Sequence, residues 1–265
     1  MKFWNFIQNA ATETEAESVE LRIEGDIVDN EMAWIYEWFG IPATSPNAFR
    51  AELAQYAGKN IIVWIDSYGG SVFAAAGMYN ALMEHKQTGA RIVTKVDSKA
   101  MSAATVPYMA GDERLMSPVA IFMMHNPLTE VRGYASDMRK AADVLDEVKE
   151  TIINAYQLGS GRSRAKISSM MEDETYMSAR TALKEGFASG ILYTNTQAEP
   201  IENTLSFSRM SIQNSSSIES IKRFIEQYNK TNSGNSPLAP PEDPRQVPVD
   251  LYRAQIQLNK NRLGR

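Results

Sequence analysis

Residues 60–86, NIIVWIDSYGGSVFAAAGMYNALMEHK, constrain the fold more than any other stretch. NIIVWID is a continuous apolar run, β-branched in part, and reads as a strand buried on both faces. It passes through Ser-Tyr-Gly-Gly-Ser straight into VFAAAGMYNALMEHK. That segment reads as a helix with Val72, Ala76, Tyr79 and Leu82 near one face. Two glycines at such a junction allow torsions closed to other residues and let a backbone amide come close to a bound group. At a helix N-terminus those amides suit an anion or a developing oxyanion. A tight turn uses the same pair, so the glycines alone decide nothing.

The same alternation continues on both sides. SVELRIEGDIV sets Val19, Leu21 and Ile23 between charges, as a half-buried strand does. MAWIYEWFGIP fits either a short helix or a strand-like surface element. SPNAFRAELAQYAG has a serine start, periodic apolar residues and a glycine stop, and reads as a helix. ARIVTKVDS is a strand, SAATVPYMAG a short helix that Pro107 would kink, and VAIFMMH a further strand. ASDMRKAADVLDEVKETIINAYQLGSG is a long helix with a glycine-rich stop. SRAKISSMMED and SARTALKEGFASG are shorter helices, and ILYT a last strand. Strand–helix alternation of this kind implies an α/β fold with a parallel sheet and helices outside it.

Composition narrows the chemistry. The 265 residues include no cysteine and two histidines, so a disulfide framework, thiol chemistry and a histidine-rich metal site are not expected. A net charge of −5 does not suggest a nucleic-acid binder. No apolar run is long enough to span a bilayer, and the opening MKFWNFIQNAATETEAE lacks the apolar stretch of a secretory signal. A cytoplasmic protein is the expectation. Three regions follow: a short amphipathic arm over 1–18, a patterned body over 19–200, and a loose tail over 201–265. The tail holds one amphipathic segment, IESIKRFIEQYNK, then five prolines between Pro237 and Pro248, then a basic end. The proline-rich part reads as an extended linker. From Arg209 onward nine Lys/Arg face five Asp/Glu, a basic tail on an acidic body. It reads as a docking arm or as a solvated tail without a specific partner.

Two polar residues stand out in the body. Ser102 follows a strand and sits among Ala100, Ala103 and Ala104, small neighbours that would leave its hydroxyl open to a substrate. No G-x-S-x-G surrounds it, so it is not a nucleophile elbow, and by itself it reads equally as a helix N-cap. His125 ends an apolar strand just before Asn126-Pro127, the place where α/β proteins put their sites. A neutral imidazole there can take a serine's proton, though a structural histidine is the competing reading. His85, at a charged helix end, is expected to face solvent. A third group should orient the imidazole. Glu172, Asp173 and Glu174 are the candidates, and spacing alone does not choose among them.

Gly-Gly after a strand, a serine in AMSAAT, MMHNP, and DETYMSARTALKEGFASGIL occur in one order. In that order they resemble the Clp protease proteolytic-subunit (ClpP) family, most of all its phage branch, the head-maturation or prohead proteases. The resemblance covers about residues 19–194. It implies a crotonase-like ββα spiral with a long handle helix around residues 134–158, through which rings stack. It implies Ser102 as nucleophile, His125 as general base, and the amides of Gly70 and Ala103 as oxyanion hole. Its acid falls on Glu174, four residues before Ser178. The family has aspartate there, and Asp173 is one residue away. Tyr68 replaces the usual proline before Gly-Gly.

By this resemblance the chain is a serine endopeptidase that cleaves capsid, scaffold or portal proteins through an acyl-enzyme on Ser102, with no metal or organic cofactor. It self-associates into rings, heptamers being one option. The N-terminal arm does not resemble the loops that dock an unfoldase ATPase, which argues against that partner. The alternatives are a housekeeping proteolytic subunit fed by an ATPase and an inactive ring scaffold. Further from the motifs lie a hydratase or isomerase of the same spiral fold and a Ser-Lys hydrolase using Lys95 or Lys99.

Overall fold

A computed structural model describes residues 7–9 and 18–194. The expectations for the tail from 201 onward, and for most of the N-terminal arm, lie outside the described residues. Three residues of the arm, Ile7–Asn9, form strand β1, which pairs antiparallel with β2 (Ser18–Ile27). The rest of the body runs α1 (Asn30–Phe39), β3 (Ala43–Thr44), α2 (Pro46–Leu53), β4 (Asn60–Gly70), α3 (Val72–Lys86) and β5 (Ile92–Met101). A 3₁₀ turn over Ser102–Ala104 leads into α4 (Thr105–Tyr108), then β6 (Glu113–Met116), β7 (Ile121–Met124), α5 (Ala135–Ser160), α6 (Arg164–Glu172), β8 (Thr175–Ser178), α7 (Ala179–Lys184) and β9 (Gly190–Ile191).

The strands form one sheet in the order β1-β2-β4-β5-β6-β9, with β3 on β2, β7 on β5 and β8 on β7. All the pairs are parallel except β1–β2 and β7–β8. This is the expected α/β architecture with a parallel sheet and a long helix. The ambiguous MAWIYEWF segment is helical, and α1 ends on Gly40 in the left-handed conformation that glycine adopts freely.

Burial along β4 alternates, which corrects the reading of NIIVWID as a strand covered on both faces. Ile61, Val63 and Ile65 are fully buried, as are Val19, Leu21 and Ile23 on β2 and Ile92, Thr94 and Val96 on β5. Helices α2 and α3 close this face with Phe49, Leu53, Ala74, Ala75, Met78 and Leu82. The other face carries the in-register row Arg22–Trp64–Lys95. Both cations lie over the indole, at 5.5 and 4.9 Å, and Arg22 also reaches Glu24 and Asp97. The apolar run therefore conceals a two-sided strand, because Trp64 and Ile62 serve a half-exposed face.

Three smaller expectations also change. The core stripe of α3 is Ala74, Ala75, Met78, Ala81, Leu82 and His85, rotated from the Val72–Ala76–Tyr79–Leu82 face. His85 is buried, not solvent-facing: its Nε2 lies 2.8 Å from the Lys59 carbonyl, to which it must donate. ILYT contributes only Ile191 to β9, which pairs with β6 through Leu115↔Gly190 and Met116↔Ile191. The 26 residues of α5 bury only Ile152, Ile153, Ala155 and Tyr156, all in its last turns. Its first four turns are largely solvent-exposed on this chain.

Candidate active site

The C-terminal ends of β4, β5 and β7 converge at one place. β4 and β5 pair in parallel up to Ser67↔Ala100, and β5 and β7 pair through Lys99↔Ile121, Ala100↔Phe122 and Met101↔Met123. Ser102 leaves β5 and His125 leaves β7 directly after this ladder. Ser102 Oγ and His125 Nε2 stand 2.7 Å apart. Residues 23 apart in sequence thus meet because each ends a strand of the same parallel pair. The N-cap reading of Ser102 does not hold: Met101 occupies the N-cap position, and Ser102 is the first residue of the turn.

Ser102 has φ +53, a left-handed torsion that is uncommon outside glycine. Such torsions persist where surrounding contacts hold them, and they concentrate at functional sites. Its neighbours are indeed small and packed away: Ala100, Ala103 and Ala104 are all buried.

The glycine pair lies against this turn. Gly69 and Gly70 have φ +101 and +141. A Cβ on Gly69 would come within 2.7 Å of the Met101 carbonyl oxygen and 2.9 Å of both Ala103 N and Ser102 Cβ. On Gly70 it would come within 2.1 Å of the Ile27 carbonyl oxygen. Both positions therefore require glycine for space as well as torsion. Ser67 Oγ adds a brace, donating to the Gly25 carbonyl at 2.5 Å and accepting from Gly69 N–H at 3.0 Å. Ser71 caps α3 by accepting from Ala74 N–H, and its hydroxyl donates to Asp29.

The three acids separate in space. Glu172 pairs with Lys149, which, with Ser168, holds its carboxyl below the usual range. Asp173 closes α6 and accepts from Ser169 Oγ at 3.5 Å. Glu174 has φ +49 and accepts from Tyr176 Oη at 3.2 Å. Position along the chain distinguishes them further. In the antiparallel β7–β8 pair Met124 faces Thr175, the last pair of the ladder. Glu174 immediately precedes Thr175 as His125 immediately follows Met124, whereas Asp173 is the C-cap of α6. The Asn126 N–H donates to the Met171 carbonyl, tying this end of β7 to α6.

Lys95 and Lys99 are engaged on the polar sheet face. Lys95 lies over Trp64, and Lys99 pairs with Asp66 and lies over the Tyr68 ring. A groove of about 320 Å³ runs between Phe73 at the start of α3 and Val144, Val148 and Thr151 of α5. Lys140, Asp143 and Glu147 edge it. Phe73, 72% exposed, is three residues past Gly70. Among the described residues there is no group of three or more metal-ligating side chains, and no helix long and apolar enough to cross a membrane.

Sequence reasoning missed Ser67, Thr105 and Tyr156. Thr105 Oγ1 donates to the Ser102 carbonyl and meets the Tyr156 hydroxyl. A threonine three residues into a helix start has a local signal for such a bond, whereas nothing local marks Tyr156.

Comparison with known proteins gives the same direction. Residues 51–195 match a family model described as Clp protease. The ATP-dependent Clp protease proteolytic subunit of Porphyromonas gingivalis is 31% identical over 140 residues, 52% of this chain and 62% of that protein. The corresponding subunit of Ligilactobacillus salivarius is 30% identical over 152 residues, 55% of this chain and 76% of that protein. Subunit 2 of Borreliella burgdorferi is 27% identical over 143 residues, covering 53% and 71%. The matched part of the chain thus spans between three-fifths and about three-quarters of these relatives.

Proposed function

The chain belongs to the Clp protease family, and from that premise we propose that it is a serine endopeptidase working through an acyl-enzyme on Ser102. The observation that carries this reading is the 2.7 Å contact between Ser102 Oγ and His125 Nε2, at the end of a shared ladder. With the neutral imidazole protonated on Nδ1, the Ser102 hydroxyl donates to Nε2. His125 takes that proton as Oγ attacks the peptide carbonyl. The oxyanion that forms is held by the amides of Gly70 and Ala103. His125 then gives the proton to the leaving amine, and water, activated by the same ring, releases the acyl group.

Glu174 orients His125 in this proposal. Its place next to Thr175, the residue paired with Met124, favours it over Asp173, and glutamate is one methylene longer than the family's aspartate. The apolar groove beside Phe73 is suited to a side chain of an extended peptide.

The relatives' names favour an ATP-dependent proteolytic subunit, and with it the housekeeping reading, in which the chain self-associates into rings and an ATPase feeds it. This is the alternative raised by sequence, and it has more support than the head-maturation reading. Cleavage of capsid, scaffold or portal proteins rests on the resemblance to the phage branch alone.

The test is reaction of the full chain with a fluorophosphonate probe, read by intact mass and peptide mapping, beside Ser102→Ala and His125→Ala. A single adduct on Ser102, lost in both variants, is the expected result. No adduct on folded, ring-assembled protein would favour the scaffold alternative.

A further inference from the structure

A buried chain of hydroxyls connects the long helix to the backbone of Ser102, and the proposed chemistry does not itself use it. Thr105 Oγ1 lies 2.5 Å from the Ser102 carbonyl oxygen and 2.6 Å from Tyr156 Oη. Valence sets the direction of both bonds. A carbonyl only accepts, so the single Thr105 proton goes to Ser102, and the second contact must be donated by Tyr156. Thr105 and Tyr156 are both fully enclosed. Burial raises the Tyr156 pKa well above its ordinary value, outweighing the Thr105 bond, so the phenol stays a donor. Its ring is wedged against Phe122 of β7 at 6.3 Å and Phe187 at 5.8 Å, edge-on to both.

The carbonyl so held is one end of a single planar unit. Ser102 C=O and Ala103 N–H belong to the same trans peptide and point to opposite sides of the chain. Holding the oxygen inward therefore holds the N–H outward, on the side where Ala103 N approaches Gly69. The left-handed torsion of Ser102 gives this peptide a reason to rotate away unless something restrains it.

We propose that Tyr156 and Thr105 are positioning residues for the oxyanion hole, a relay through which α5 sets the orientation of the Ser102–Ala103 peptide. The proposal rests on the reading of Ala103 N–H as an oxyanion donor. Neither side chain touches substrate. Tyr156 anchors Thr105, Thr105 anchors the peptide, and the last turns of α5 carry Tyr156. A shift of those turns is felt at the donor N–H.

The experiment compares Tyr156→Phe, Thr105→Val and Thr105→Ser in the full chain. The first removes one hydroxyl, the second removes the whole relay at nearly constant volume, and the third restores the donor. Readouts are the rate of fluorophosphonate labelling, and kcat and KM on a fluorogenic peptide across pH. Loss of a whole oxyanion donor costs about 10²–10³ in kcat. A misaimed donor should cost about tenfold in kcat for Thr105→Val and Tyr156→Phe, with KM nearly unchanged. Thr105→Ser should recover most of the rate. The double variant should be no worse than Thr105→Val alone, since both break one chain. The pH midpoint set by His125 should not move.

Unchanged kcat in both hydroxyl deletions, an effect confined to KM, or failure of Thr105→Ser to recover would overturn the relay. If Thr105→Val does not fold, Tyr156→Phe decides. A wild-type protein that never labels would count against the protease reading instead. In that event crystal structures of the variants judge the relay: a rotated Ser102–Ala103 peptide in Tyr156→Phe or Thr105→Val supports it, and an unmoved one refutes it.

Discussion

Gly69→Ala places a methyl group where the site has no room for it. Two costs add. The φ of +101 lies outside the small left-handed region open to L-residues, and that region itself costs roughly 1–2 kcal/mol. The new Cβ would also stand 2.7 Å from the Met101 carbonyl oxygen and 2.9 Å from Ala103 N, both backbone atoms of a buried turn. Relief requires moving that backbone, a strain of about 1–2 kcal/mol. The total is about 3 kcal/mol, or a fall in Tm of roughly 6–12 °C for a domain of this size. Gly58→Ala isolates the first cost, because Gly58 has φ +81 and open space around it. It should lower Tm by roughly 3–6 °C. The two variants should differ far more in reactivity. Displacing Ala103 N disturbs the proposed oxyanion donor, so fluorophosphonate labelling of Gly69→Ala should slow by about 10²-fold or more, while Gly58→Ala labels at the wild-type rate. Thermal denaturation and labelling kinetics on the same preparations check both numbers. Wild-type labelling of Gly69→Ala, with a Tm loss no larger than that of Gly58→Ala, would refute the packing argument and the site built on it.

Three further outcomes are expected. Glu174→Gln should slow labelling by at least about tenfold and Asp173→Asn by less than about twofold; the opposite ranking in the same assay would overturn the assignment of Glu174 as the orienting acid. Burial raises the Asp26 pKa above its ordinary value, against a hydrogen bond from Tyr36. The stability it contributes is therefore present below the unfolded pKa and lost as pH rises through the folded one. Asp26→Asn should match wild type in Tm at about pH 4 and exceed it increasingly toward neutrality, and a difference that shrinks with rising pH would contradict this. Asp112 has the opposite sign. Partial burial opposes its ionisation, but the Ile92 N–H and the charges of Lys86 and Arg91 outweigh it and lower its pKa. Its contribution is present above the unfolded pKa and lost as pH falls through the folded one. Asp112→Asn should lower Tm near neutrality and converge with wild type in acid, as denaturation curves from about pH 2 to 7 would show.

Much of the site was legible because its requirements are local. Gly69 and Gly70 advertise forbidden torsions, alanines around Ser102 advertise an open hydroxyl, and Asn126-Pro127 marks where a strand must end. The short strands β6 and β8 were not legible. Glu113–Met116 and Thr175–Ser178 are four residues each, and what makes them strands is a partner already in place, β5 for one and β7 for the other. The polar face of β4 was hidden for a related reason. Trp64 is apolar by composition, and only the cations of adjacent strands give it a half-exposed role. His85 looked solvent-facing because its sequence neighbours are charged, yet its position on α3 points it inward to the Lys59 carbonyl. Tyr156 lies 51 residues from Thr105, and no periodicity connects them.

The three-pair ladder between β5 and β7 has an evolutionary consequence. It makes spacing, beside the buried side chains, a quantity this region must preserve. Lys99, Ala100 and Met101 pair with Ile121, Phe122 and Met123, so a substitution that fits the buried packing leaves the distance from Ser102 to His125 intact. A single inserted or deleted residue would not, because a one-residue slip turns every following side chain to the other face. Descendants of this chain should therefore vary in composition at the half-buried positions Lys99 and Ile121 while tolerating almost no change in length. Length variation should gather instead in the stretch from residue 127 to 134, after His125 has been delivered and before α5 begins.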